Sequence, residues 1–171
     1  MLPGSMYYHF KSKEELVLAV HEAGVAHIQS AVDSALDRAR QEPWARLEAA
    51  CAAHLEALLD GTDYAQVVVP QFVQTLPKAL RAEMIRQRDS YERLFRKLVN
   101  DLPLAADVSR QYLRLAILGS LNWSLVWYRA GGDPPAVVAK RLLQVFRLQL
   151  EPRSRGHDPL SSQSRASEFV A

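Results

Sequence analysis

Residues 3–16 read Pro3-Gly4-Ser5-Met6-Tyr7-Tyr8-His9-Phe10-Lys11-Ser12-Lys13-Glu14-Glu15-Leu16, and the reading of the whole chain starts from this stretch. Ser12 to Glu15 have the S-x-x-E form of a capping box, in which a serine hydroxyl and a glutamate satisfy orphaned backbone N–H groups, so a helix is predicted to begin near Lys13. Ahead of it, small residues precede two tyrosines, a histidine and two lysines. Hydroxyl, imidazole and ammonium groups in that order can donate to phosphate oxygens, while Gly4 and Ser5 let the backbone approach a groove. The same residues also fit a frayed start whose Tyr7 and Phe10 pack on the following helix, and spacing alone leaves both readings open.

Outward from Lys13, apolar positions Val17, Val20, Gly24, Ile28, Ala31, Val32, Ala35, Leu36 and Ala39 keep three-to-four spacing, which predicts one long helix to about Arg40. Pro43 suits the first turn of a second helix with Leu47, Ala50, Cys51, His54, Leu55, Leu58 and Leu59 on one stripe and Gly61 as its stop. Asp63 would cap a third, over 64–75, which Pro70 should kink because proline lacks the N–H and clashes with the preceding turn. Pro77 opens a fourth helix, 78–101, along Leu80, Met84, Tyr91, Leu94, Phe95 and Leu98. Asp107 is expected to cap a fifth, to Arg129, and Gly131-Gly132-Asp133-Pro134 reads as a stop, a turn and the start of a sixth, to about Leu150. The remainder, rich in serine and proline, reads as a disordered tail. No repeat is visible.

Composition agrees with an all-α chain: 23 alanines and 24 leucines stand against 15 valines, 3 isoleucines and 2 threonines in 171 residues. A net charge of +2 neither requires nor forbids a nucleic-acid partner. The single cysteine, Cys51, rules out an intrachain disulfide and is expected in helix packing. No secretion signal is read at the start, and the apolar stretch from Tyr112 to Tyr128, broken by Arg114 and Asn122, falls short of the ~20 residues of a membrane span. A cytoplasmic protein without a membrane partner is expected. Phosphate-loop, dinucleotide, nucleophile-elbow and zincin motifs are missing, so no cofactor, metal or enzymatic activity is expected. His27 and His54 have no His, Asp or Glu at i+4 and read as packed or surface histidines. The fifth helix is apolar nearly all round, from Leu113 to Trp127, and Gly119-Ser120 permits close approach, which points to self-association through the last two helices.

The run GSMYYHFKSKEEL resembles the end of the recognition helix, the turn and the start of helix four in the TetR/AcrR family of bacterial transcriptional regulators. Leu118 to Tyr128, with its N-W-x-x-x-W-Y spacing before the Gly-Gly-Asp turn, is similar to a branch that includes fatty-acid and sterol catabolism repressors. The resemblance covers residues 3 to about 150 and implies a TetR-like fold: a remnant of the helix-turn-helix DNA-binding domain over 1–13, a six-helix ligand-binding and dimerisation domain over 14–151, and a tail over 152–171. It would place Pro3, Gly4, Ser5 and Tyr8 at the major-groove edge, with Tyr7, His9 and Lys13 on phosphates. It implies a homodimer through 107–150 and a repressor released from operator DNA by a small hydrophobic effector, for which the branch suggests an acyl-CoA thioester. Phe72, Met84, Tyr91 and Asn122 would line the pocket, with Arg81 and Arg88 available for phosphates.

Family members carry roughly 30 to 45 further residues before this point, forming the helices that brace the recognition helix. The expectation is a reading frame whose true start lies upstream. The competing expectation is a DNA-incompetent module that dimerises and binds ligand.

Overall fold

The structure, a computed structural model, describes residue 10 and residues 12–60 and 77–150. Among them it forms five helices: α1 (Lys13–Arg38), α2 (Pro43–Leu58), α3 (Lys78–Asn100), α4 (Arg110–Trp127) and α5 (Pro135–Leu150), and no strand. The segment 64–75 expected as a further helix, with Gly61 and Pro70, lies outside the described residues, as does the tail.

Local chemistry accounts for the starts. The Ser12 hydroxyl accepts from the Glu15 N–H at 3.1 Å, capping α1 as the S-x-x-E pattern predicts. α2 starts at Pro43, and the Glu42 carboxylate before it accepts from the N–H groups of Trp44 (3.0 Å) and Ala45 (2.7 Å), a cap the sequence reading did not assign. α4 departs from expectation: it begins at Arg110 with Ser109 in the cap position, because the chain closes a turn in which the Val108 N–H donates to the Ala105 carbonyl, and Asp107 falls inside that turn. It ends at Trp127 rather than Arg129. Gly131 then adopts φ 94°, a left-handed conformation that suits glycine, and Asp133 pairs with Arg141 of α5.

α2 is the central element, packed against all four other helices, while α3 also packs on α1 and α4, and α4 on α5. Its sequence permits this. Trp44, Leu47, Ala50, Cys51, Leu55 and Leu58 are buried around the helix, and its alanines allow close approach on several sides. Cys51 sits in this core, where burial, assisted by the nearby Glu48 charge, pushes its thiol pKa far up. On α1 the buried set is His21, Gly24, Ile28, Val32 and Leu36, one stripe at helical spacing.

Candidate functional site

α3 presents Leu80, Met84, Tyr91, Phe95 and Leu98 to the interior, and Gln87, Tyr91 and Glu92 reach across to polar groups of other helices. Near its middle, the Gln87 side-chain oxygen lies 2.6 Å from Nδ1 of the buried His21 of α1. One turn further, Tyr91 meets His54 of α2.

His54 is the hub of the interior. Its Nδ1 lies 2.7 Å from the Tyr91 hydroxyl and its Nε2 lies 3.1 Å from Oδ1 of Asn122 on α4. One proton arrangement satisfies the row: Tyr91 donates its O–H to Nδ1, and Nε2–H donates to the Asn122 carbonyl oxygen. The imidazole stacks on the Tyr91 ring at 5.8 Å and meets Phe95 edge-on at 5.9 Å. Burial favours the uncharged ring and lowers the His54 pKa from 6.5 to about 4, partly opposed by the hydrogen bond to Asn122. Burial also pushes the Tyr91 hydroxyl well above its usual range, so it stays a donor. Removing one member leaves its partners buried and unsatisfied, at a cost of about 1–3 kcal/mol.

A second tie joins the same helices. Arg114 of α4 lies 3.0 Å from Glu92 of α3, both side chains largely covered. Ser120 and Ser124, set in an otherwise apolar α4, return their hydroxyls to the carbonyls of Ala116 and Ser120, so neither leaves an unpaired group in the packed helix.

The residues expected at an effector site fall as follows. Met84 and Tyr91 are buried on one face of α3, Arg81 and Asn122 are half-buried, and Arg88 is exposed, paired with Asp89 at 2.8 Å and Glu92 at 3.2 Å. Phe72 lies outside the described residues, as do Pro3, Gly4, Ser5, Tyr7, Tyr8 and His9; Lys13 is exposed at the first position of α1. His54 was placed by sequence only on the apolar stripe of α2. His27 lies at the surface, 2.7 Å from Asp60. A groove of about 570 Å3 lies elsewhere, between α2 and α5, floored by Ala45, Ala49, Ala52 and Ala136 and bordered by the Lys140–Glu48 ion pair at 3.4 Å. Beside it Arg147 stacks over the Trp44 ring at 5.4 Å.

α4 and α5 carry a second apolar surface. Tyr112, Leu115, Trp123, Val126 and Trp127 of α4 are exposed, Trp123 by 57%, together with Val145 and Leu148 of α5, each by 64%. A Cβ added at Gly119 would meet nothing within 4 Å, so this face of α4 is open at its middle. Among the described residues no helix is long and apolar enough to cross a membrane, and no cluster of three or more His, Cys, Asp or Glu could hold a metal.

The described residues thus form an all-helical frame with a buried polar hub and an apolar outer face on its last two helices, and comparison with known proteins shows the family to which it belongs. The family model "Tetracyclin repressor-like, C-terminal domain" matches residues 40–150, and the chain belongs to the TetR family of transcriptional regulators. Solved structures share the fold. The TetR family regulator PfmR from Thermus thermophilus is 22% identical with a TM-score of 0.71, over 85% of this chain and 80% of that one. The ketosteroid transcriptional regulator KstR2 of Mycobacterium tuberculosis is 20% identical with a TM-score of 0.70, over 88% and 79%. AibR, solved in complex with isovaleryl coenzyme A and operator DNA, is 19% identical with a TM-score of 0.71, over 85% and 80%. No curated protein matches the chain by sequence.

Proposed function

We propose that this protein is a dimeric, effector-responsive repressor that binds operator DNA, acts in the cytoplasm and has no enzymatic role. The observation that carries the reading is the exposed apolar face of α4 and α5, which reaches from Tyr112 to Leu148 and needs a partner. A second copy pairing the same two helices covers it with one self-complementary patch. Dimerisation then sets two starts of α1, each with Lys13 exposed, at a fixed separation, as two major-groove contacts require. Pro3, Gly4, Ser5 and Tyr8 would face the groove, and Tyr7, His9 and Lys13 the phosphates.

The effector is proposed to be a small hydrophobic molecule such as an acyl-CoA thioester, a choice supported by AibR with its isovaleryl coenzyme A. Phe72, Met84, Tyr91 and Asn122 would line its site, with Arg81 and Arg88 near its phosphates. Bound effector favours a dimer whose two DNA-facing ends are wrongly spaced. The test is a gel-shift titration on the gene's own upstream DNA, using the 171-residue chain and the same protein with whatever residues its frame encodes before Met1. Specific, salt-sensitive binding relieved by isovaleryl coenzyme A is expected. Absence of specific binding by both proteins overturns the repressor reading, and binding by the longer protein alone assigns the 171 residues to dimerisation and effector binding.

A further inference from the structure

We propose that the chain Tyr91–His54–Asn122 is a pin that fixes the rotational setting of α4 and thereby the separation of the two α1 starts in the dimer. This rests on the dimer reading above. α4 is apolar on two faces, with Leu113, Ile117 and Leu121 inward and Leu115, Trp123 and Val126 outward. Apolar attraction is non-directional, so hydrophobicity alone does not decide which of these faces turns outward.

The hydrogen bonds do decide it. Both ring nitrogens of His54 are engaged, at 2.7 Å by Tyr91 and at 3.1 Å by Asn122, inside a packed core. Turning α4 by one residue, about 100°, would carry Asn122 off the imidazole and Trp123 off the outward face. Arg114, bound to Glu92 at 3.0 Å, holds the same helix two turns nearer its start. Tyr91 and Glu92 are consecutive in α3, so one turn of α3 holds α4 directly at Arg114 and, by way of His54 of α2, at Asn122, two points about 12 Å apart along α4. α1 packs on both α2 and α3, so its exposed start takes its place from the same pinned frame.

The test reads distance directly. Nitroxides at Glu14→Cys, an exposed position at the start of α1, report the separation between the two copies by double electron–electron resonance; Cys51 is buried and escapes labelling in the folded protein. Asn122→Leu and His54→Phe are expected to remain dimeric while the distance distribution shifts by roughly 2–5 Å or broadens correspondingly. Leu55→Ala, which hollows the fully buried neighbour of His54 without touching the pin, is expected to keep the parental distribution despite lower stability. Should His54→Phe fail to fold, Tyr91→Phe, which deletes one hydroxyl, carries the measurement. Parental distributions in dimeric Asn122→Leu and Tyr91→Phe overturn the pin, as does an equal shift in Leu55→Ala. No intermolecular signal from the parent protein sinks the dimer reading, and the pin with it.

Discussion

At the scale of single residues, His54 makes the fold sensitive to acid in a direction that its hydrogen bonds dictate. The folded protein holds the ring neutral down to about pH 4, whereas the unfolded chain takes up a proton near 6.5. Between those values the unfolded state binds more protons, so stability is complete above pH 6.5 and falls as the pH drops toward 4. A separation of this size corresponds to about 3 kcal/mol at one site. Gln in place of His54 offers an acceptor for Tyr91 and a donor for Asn122 without titrating, so urea unfolding of His54→Gln at pH 7 and pH 4.5 is expected to lose this part of the parent's pH dependence. Equal pH dependence in the two proteins would count against it. The position of His54 on the stripe of α2 was legible in the sequence, but its role was not. Its partners lie 37 and 68 residues away, and no local pattern encodes a pairing over such distances. Tyr91 and Asn122 were singled out as pocket residues; the structure engages both with His54.

Helices are where the sequence was most readable, because their signals are local. The Ser12 cap and Pro43 in the first turn of α2 act within a few residues of where they are written, whereas the stop expected at Gly131 did not set the end of α4, which closes at Trp127 with Tyr128 extended. The Asp107 cap failed for the same kind of reason, since a competing four-residue turn from Ala105 to Val108 displaced the start of α4 to Arg110. The all-round apolar character of α4 was also legible, and the structure divides it into an inner row and an outer row. If the outer row pairs two copies, a charge at its most prominent aromatic is intolerable there but harmless to the monomer's own core. Trp123→Asp is therefore expected to convert a dimer into a folded monomer in sedimentation velocity, with helical content by circular dichroism unchanged. A Trp123→Asp protein that sediments like its parent would locate the partner surface elsewhere.

On the scale of the whole molecule, α2 decides how the protein comes apart. Every other described helix packs on it, and its Trp44, Leu47 and Leu55 are fully buried in the core those helices share. Unfolding is expected as one cooperative transition rather than helix by helix. If two copies cover the outer face of α4 and α5 as proposed, folding and pairing share one equilibrium, because that face is covered only when two folded copies meet. Mass action ties such a protein's apparent stability to its own concentration: each tenfold rise is worth about 1.4 kcal/mol per dimer. With the entropy of a chain of this size, 1 kcal/mol moves the midpoint by about 2–4 °C. Thermal unfolding followed by circular dichroism is thus expected to shift upward by a few degrees for each tenfold increase in protein, and Trp123→Asp is expected to flatten that dependence. A midpoint in the parent protein that ignores concentration would mean that the exposed face contributes nothing to stability through a second copy.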